Sequence, residues 1–230
     1  MKANNLLTGA GIRRSFVPSI MAAVLTGLAL PAMANDITIQ PDEDDSKDSF
    51  VYSFLTSWAF DTDSSGSGAA FGDLLSAGAT TSGAHDLVSY LQFDLTDLEN
   101  LDLHGTDIDE ALLYVYVESS STVGFGGDPS ASFPIGVTAY KVDSSWTEST
   151  LTWANGPSYS TVAGTATINS TGYWTYFTVT STVRNWLDGV YSNNGFALEQ
   201  NSPVSDGTSQ IVGVFQSSAG AHKPYLKVTY

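Results

Sequence analysis

The chain has 230 residues, no cysteine, and 24 acidic against 8 basic side chains, which gives a formal net charge of −16. Without cysteine there is no disulfide framework, so the burial of apolar side chains has to stabilise the fold. Binding to phosphate groups requires clustered Lys and Arg, and this chain has few of either. The composition therefore disfavours nucleic acids and anionic membrane surfaces as partners.

Residues 1–34 have the pattern of a secretory signal peptide. Three basic residues precede an apolar run at 20–30, and an Ala-Met-Ala cleavage site follows at 32–34. The run is shorter than the roughly 20 residues that cross a bilayer, so we predict cleavage and no membrane insertion of the mature chain. The product would begin near Asn35 with a charge of about −19, because three positive charges and no negative ones leave with the signal. We expect a secreted protein, found outside the cell or at its surface.

Residues 35–47 form an acidic segment that we predict to be a mobile leader. Within it, Ile37 and Ile39 alternate with polar residues as in a short strand. A strand of this kind could add to the sheet edge of a neighbouring molecule. Residues 48–230 follow as one domain, since all-β chains of this length commonly stay undivided.

An acidic loop begins at Asp61. Oxygen-bearing side chains at Asp61, Asp63 and Ser65, with Gly66 at the sixth position, match the first half of a calcium-binding loop. The second half differs, because Gly72 stands where a bidentate Glu is needed, and loops rich in Asp, Ser and Gly also form simple turns. The loop is therefore either a calcium site or a turn.

Alternating apolar side chains predict β-strands in the rest of the chain. The segment 111–117 places four side chains on one inner face, namely Ala111, Leu113, Val115 and Val117. The segments 91–95 and 226–230 alternate in the same way. Short strands separated by Gly, Ser and Asn are typical of a sandwich. We predict an all-β fold, a single jelly-roll-type β-sandwich.

Two aromatic features are candidate ligand-binding sites. Leu112, Tyr114 and Tyr116 occupy the outer face of the segment 111–117, about 7 Å apart, which suits stacking along a sugar chain. The alternative is that another strand or the leader covers them. Trp58 is the second candidate, either as an exposed indole that binds sugar or as a buried ring that closes one end of the sandwich.

One short helix is predicted near residue 185. Val183, Trp186 and Leu187 fall on one helical face, Ser181 or Thr182 can cap the start, and Gly189 can end it. No other segment combines a helical period with start and stop signals.

Four of the five tryptophans lie in two motifs, SWTESTLTW at 145–153 and YWTYFTVTSTVRNWLDG at 173–189. Together with IDEALLYVYV at 108–117, NNGFALEQ at 193–200 and KPYLKVTY at 223–230, these motifs resemble the DNRLRE (disaggregatase-related) domain. That domain is an extracellular β-sandwich that is also classified as a carbohydrate-binding module, with members that bind alginate. The resemblance covers nearly the whole chain after the signal.

The resemblance implies that the motif tryptophans are structural. We expect them in the packed core, where a large ring buries much apolar area: Trp146, Trp153, Trp174 and Trp186. Glu148 lies inside the first motif, and we expect it to accept hydrogen bonds beside the core.

Catalytic patterns are absent from the sequence. It has no Gly-x-Ser-x-Gly nucleophile elbow and no zinc motif, and its histidines, His85, His104 and His222, lie far apart. We therefore predict that the protein is not an enzyme. An acidic module of this kind would need bridging cations or a local basic patch to bind an acidic polysaccharide such as alginate.

Two functional hypotheses remain open at this point. The first is a secreted, non-catalytic domain that binds an extracellular polysaccharide. The second is a structural or adhesive subunit of a matrix, surface layer or fibre, whose partners are copies of itself joined through the N-terminal segment.

Overall fold

The computed structural model describes residues 34–41, 47–61, 74–83, 86–120 and 126–230, although not the side chain of Asp61. This part of the chain forms twelve strands in two six-stranded antiparallel sheets, and one core cluster contains residues of both sheets. The strands confirm the predicted all-β sandwich. In chain order they are β1 (Asp36–Ile39), β2 (Lys47–Tyr52), β3 (Phe60–Asp61), β4 (Leu74–Ala77), β5 (Leu87–Gln92), β6 (Glu110–Glu118), β7 (Ile135–Val142), β8 (Tyr159–Ile168), β9 (Tyr173–Thr178), β10 (Phe196–Gln200), β11 (Gly213–Gln216) and β12 (Tyr225–Thr229).

Sheet A is organised around β6. Along one edge β6 pairs with β9 over residues 112–117, and along the other it pairs with β12 over 110–114 and with β11 over 117–118. β1 extends the sheet beyond β12, and β4 extends it beyond β11. Sheet B has the order β3-β2-β5-β10-β7-β8. Most neighbouring strands are therefore distant in sequence, and long-range pairing holds the fold.

The main core lies between the sheets. The four inner side chains predicted for β6 have no exposed surface: Ala111, Leu113, Val115 and Val117. They belong to the same apolar cluster as Phe196 and Leu198 of β10 in sheet B. The two-residue period of the strand thus sends one set of side chains into the sandwich and leaves the other set outside.

A second hydrophobic layer covers the outer face of sheet B. Segment 143–158 contributes Trp146 and Leu151, both buried, which pack against Val88 and Tyr90 of β5. The indole nitrogen of Trp146 donates to the carbonyl oxygen of Asn194 at 2.9 Å. Burial of these side chains holds the long connection between β7 and β8 against sheet B.

Asp48 of β2 joins several elements although it is almost fully buried. Its carboxylate accepts hydrogen bonds from the backbone N–H and the hydroxyl of Ser218, in the connection between β11 and β12. Its own backbone N–H donates to Oε1 of Glu148 at 2.9 Å. The half-buried Glu148 thus accepts a backbone hydrogen bond beside the second hydrophobic layer, as expected for a carboxylate at the edge of a core.

Two helices occur in the described residues, the one-turn α1 (Thr96–Asn100) and the longer α2 (Thr180–Leu187). The predicted start of α2 is wrong, because the helix begins at Thr180, one or two residues before the expected caps. The Thr180 hydroxyl instead accepts from the backbone N–H of Ala111 at 2.9 Å, which ties α2 to β6. Gly189 has a φ of +67°, as expected for a glycine that follows a helix. Neither helix is long and apolar enough to cross a membrane.

The short strand predicted in the leader is present as β1. It pairs with β12 over four residues, and Asn35 and Tyr230 exchange backbone hydrogen bonds of 2.7 and 2.9 Å. β1 therefore completes the edge of its own sheet A. The acidic residues 42–46, between β1 and β2, lie outside the described residues.

Replacing Trp186 should destabilise the protein strongly. Trp186 is 7% exposed and its ring lies 4.8 Å from that of Phe196 in the main core. We expect Trp186→Ala to lower the free energy of unfolding by about 3–5 kcal/mol, because the surrounding sandwich cannot close the cavity. Trp58→Ala, at a ring that is 41% exposed, serves as the control in denaturant melts. Equal midpoints for the two variants would contradict the expectation.

Candidate functional site

The outer face of sheet A carries aromatic side chains whose positions follow from the register of three strands. Tyr114 and Tyr116 point outward from β6 and are half-buried. Tyr114 lies opposite Tyr176 of β9 on one side and Tyr225 of β12 on the other. Tyr116 lies opposite Trp174 of β9. Directly opposed residues on one face of a sheet are close enough to touch, so the register alone brings these rings together.

These rings and one histidine form what we call the aromatic cluster: Tyr114, Tyr116, Trp174, Tyr176, His222 and Tyr225. Tyr114 and Tyr225 are stacked, with ring centroids 4.6 Å apart and planes inclined by 12°. Tyr116 and His222 are stacked at 4.0 Å and 11°. The backbone N–H of His222 donates to Oε1 of Gln216 at 2.6 Å, which holds the loop over β6. The stacks make the cluster a pre-assembled surface.

Trp174 joins the two stacks. Its indole meets Tyr116, Tyr225 and His222 edge to face, at centroid distances of 5.5, 5.0 and 6.0 Å. The expectation that Trp174 lies in the core is therefore corrected. On β9 the core positions belong to Thr175 and Phe177, so the alternation of the strand sends Trp174 to the outer face.

Tyr176 and His222 are the exposed members of the cluster. Tyr176 is 52% exposed, and its ring contacts Tyr114 at 5.5 Å. Tyr114 and Tyr116, the tyrosines that the sequence singles out, each give one ring face to a stacking partner. The ring surface offered to a ligand thus includes Tyr176 of β9 and His222 of the loop before β12, beside the half-buried Trp174, Tyr114 and Tyr116.

Sequence reasoning missed four members of the cluster: Trp174, Tyr176, His222 and Tyr225. One signal was available, because in YWTYFT Trp174 and Tyr176 alternate with Thr175 and Phe177 as an outer set does. The motif position of Trp174 favoured the core interpretation instead. His222 joins through a loop, and no periodicity predicts that contact.

Leu112, the third residue of the predicted β6 surface, is half-buried and lies opposite Lys227 of β12. The ammonium of Lys227 lies 2.8 Å from the carboxylate of Asp36 in β1. Hydrogen bonds from Lys227 and Thr229 lower the pKa of Asp36, and the bond to Asp36 raises the pKa of Lys227. Both groups are therefore charged at neutral pH, and their opposite charges compensate each other. Burial raises the pKa of Tyr225, so its hydroxyl stays protonated.

Trp58 does not belong to the aromatic cluster. It lies in the connection between β2 and β3 of sheet B, is 41% exposed, and its ring is 6.2 Å from that of Phe60. Of the predicted calcium loop, Asp61 ends β3, whereas Asp63 and Ser65 lie outside the described residues. The structure groups no three His, Asp or Glu side chains that could hold a metal in its described part. Calcium at this loop stays a prediction.

The aromatic cluster lies within a region of the chain that matches a known protein family. The model of carbohydrate-binding module family 96 matches residues 61–230, which include every member of the aromatic cluster. The chain belongs to this family. The carbohydrate-binding module that the sequence resemblance implied is thereby confirmed at the level of the family. A search of curated proteins finds no match. β1 and β2 precede the matched region, so the module is extended at its N-terminus by strands of both sheets.

The module has a second group of tyrosines, on the outer face of sheet B. Tyr159 lies 6.1 Å from Tyr90 and 5.3 Å from Tyr140. Tyr90 is 3% exposed, because segment 143–158 covers it. Trp153 is half-buried against the same layer. These rings therefore stabilise the layer.

Glu199 allows a test of this second layer. Burial, and then the nearby Asp86 carboxylate, raise the pKa of Glu199 above its ordinary value. The folded state therefore binds the proton more tightly than the unfolded state does, and stability falls as pH rises from the ordinary pKa through the raised one. We expect Glu199→Gln to raise the melting temperature at neutral pH, with a gain that disappears below the ordinary glutamate pKa.

The control for this measurement is Glu99→Gln, at an exposed position of α1. Thermal melts from about pH 3 to pH 8 span the ordinary pKa of glutamate. If Glu199→Gln raised the melting temperature by the same amount at every pH, the raised pKa of Glu199 would not be the cause.

Proposed function

We propose that this protein is a secreted, non-catalytic module that binds an extracellular polysaccharide through the aromatic cluster of sheet A. Membership of carbohydrate-binding module family 96 supports a carbohydrate ligand. The observation that carries the proposal is the pair Trp174 and Tyr176 on the outer face of β9, with Tyr176 52% exposed. Two outward rings on one strand stand about 7 Å apart, a spacing that suits neighbouring sugar units of a chain better than a single sugar.

The packing of the cluster also supports this role. Stacking of Tyr114 on Tyr225 and of Tyr116 on His222 restricts these side chains before any ligand arrives. A binding surface that is already ordered loses less conformational entropy on binding. Such a surface needs no induced movement of the β-sandwich.

Two sequence features support the remaining parts of the proposal. The apolar run and the Ala-Met-Ala site at residues 1–34 favour export and cleavage. The missing nucleophile and zinc motifs favour binding without catalysis.

Replacing Tyr176 should weaken polysaccharide binding without unfolding the module. We expect Tyr176→Ser to weaken polysaccharide binding by about 1–3 kcal/mol, if the stacking of sugars on aromatic rings is as strong as the stacking of bases on them. The melting temperature should change little, because the ring is already half in solvent. Affinity electrophoresis in gels that contain polysaccharide, together with thermal melts, measures both effects.

The matched control is Tyr191→Ser. Tyr191 is 42% exposed and packs beside Lys141 of sheet B, with the ammonium 4.9 Å from the ring centre. The Tyr191→Ser variant should bind polysaccharide as tightly as the parent protein does. If the two variants lost affinity equally, the aromatic cluster would not be the binding surface.

Export can be checked on the natural product. We expect the secreted protein to begin at Asn35, because cleavage follows the small-residue pattern at 32–34. Intact-mass measurement of culture supernatant decides this. A secreted chain that still carries residues 1–34 would contradict the prediction.

A further inference from the structure

Two successive hydrogen bonds connect β6 to the histidine of the aromatic cluster. Oε2 of Glu118, the last residue of β6, accepts from the side-chain amide of Gln216 in β11 at 2.7 Å. Oε1 of the same amide lies 2.6 Å from the backbone nitrogen of His222 and 3.2 Å from its ring nitrogen Nδ1. A hydrogen-bonded path thus runs from the carboxylate through the amide to the imidazole.

This path determines which ring nitrogen of His222 carries the proton. A carboxylate accepts hydrogen bonds and a backbone N–H donates them, so the amide of Gln216 has to turn its NH2 group to Glu118 and its oxygen to His222. Because that oxygen can only accept, Nδ1 is the donor, and the neutral imidazole carries its hydrogen there. Nε2, on the far edge of the ring, is left with a lone pair.

The ring of His222 is held in place, and its outer edge is open. It stacks on Tyr116 at 4.0 Å and meets Trp174 edge to face, yet the residue is exposed. Within the described part of the chain, Nε2 has no hydrogen-bond partner. A polar atom in a fixed position beside exposed rings is the kind of group that orients a ligand in a mostly apolar site.

The elements around this imidazole carry two charged side chains of opposite sign, Glu118 and Lys223. Lys223 makes no hydrogen bond or ion pair with the described residues. The other titratable groups that face this region are phenols, on β6, β9 and β12: Tyr114, Tyr116, Tyr176 and Tyr225. Histidine is the side chain whose charge ordinarily changes between about pH 5 and pH 8. Protonation would turn Nε2 from an acceptor into a donor and add a positive charge next to the exposed rings.

We propose that His222 is a ligand-binding residue of the aromatic cluster, whose Nε2 contacts an oxygen of the polysaccharide, and that Gln216 and Glu118 are positioning residues that hold its ring. Protonation of His222 then strengthens the binding of a polysaccharide that carries carboxylates. This inference rests on the proposed function, and it adds a pH-dependent contact to that same surface.

The pH dependence of binding tests the role of His222. Alginate serves as the carboxylated probe in affinity electrophoresis, with EDTA present so that no divalent cation bridges carboxylates. We expect the affinity of the protein for alginate to rise roughly fivefold from about pH 8 to about pH 5.5, the effect of one exposed pair of opposite charges in water. The rise should be smaller at about 150 mM salt than at about 10 mM, because salt screens exposed charges.

Two histidine variants show whether His222 causes this rise. His222→Phe keeps a ring that can stack on Tyr116 but has no ring nitrogen, so its affinity for alginate should not rise at low pH. The matched control is His104→Asn, at an exposed histidine between α1 and β6 that lies outside the aromatic cluster. Asn is also a good residue at the start of a helix, the position that His104 occupies. This control should show the same rise as the parent protein.

An exchange of two side chains tests the positioning residues. Glu118→Gln together with Gln216→Glu preserves the net charge and can preserve the hydrogen-bonded path, but it brings the carboxylate next to Nδ1 of His222. We expect the rise in affinity to occur at a pH higher by about one unit, because an adjacent carboxylate favours the protonated ring. If Gln216 served only to hold the loop, the pH profile of binding would not move.

The outcomes distinguish this inference from the proposed function. Alginate binding that is independent of pH but weakened by Tyr176→Ser would overturn the role of His222 and leave the aromatic cluster as the binding surface. A rise that persists in His222→Phe would also overturn it. So would the absence of alginate binding at every pH, whereas binding of a neutral polysaccharide that Tyr176→Ser weakens would then still support the proposed function. Equal binding by the parent, Tyr176→Ser and His222→Phe would overturn both.

Discussion

The two-residue alternation of β6 determines both the core and the aromatic cluster. Its inner residues, such as Leu113 and Val115, have no exposed surface, while Tyr114 and Tyr116 stand on the other face. A shift of one residue in the pairing of β6 would move both tyrosines into the core and expose the aliphatic set. Burial of the inner face therefore fixes the register, and the register fixes the outer face. The stability of the sandwich and the geometry of the candidate site depend on the same pairing.

The neighbours of β6 explain why the cluster is built from distant parts of the chain. β9 brings Trp174 and Tyr176 to one edge of β6, and β12 brings Tyr225 to the other. The stacks and edge-to-face contacts that follow need no special loop conformation, because direct cross-strand opposition already places the rings within reach. His222 is the exception, since it reaches Tyr116 from the connection before β12. A surface of this kind is as rigid as the sheet that carries it, which favours recognition of an extended ligand without rearrangement.

Local sequence patterns correctly predicted the features of the fold that depend on interactions between neighbouring residues. The alternation at 111–117 identified β6 and its two faces, and the apolar period near Trp186 identified α2, although the capping residues misplaced its start by one or two positions. The expected core role of Trp174 was wrong, because Trp174 and Tyr176 alternate with the buried Thr175 and Phe177, and the motif position of Trp174 was given more weight than that alternation. The placement of Trp146 depends on segment 143–158 folding over sheet B, a long-range contact that no local period encodes. The sequence thus predicted elements and faces better than it predicted which faces meet.

The N-terminal strand connects the region outside the family match to the site inside it. Asp36 of β1 precedes residues 61–230, yet its carboxylate lies 2.8 Å from the ammonium of Lys227. Lys227 lies opposite Leu112, next to the row that carries Tyr114 and Tyr116. Without β1 that ammonium would face solvent beside the aromatic cluster, and the outer face of sheet A would gain a positive charge. The short strand therefore completes the sheet edge and also pairs the ammonium beside the cluster with a carboxylate, so that this cation is not left as an uncompensated positive charge next to the stacked rings.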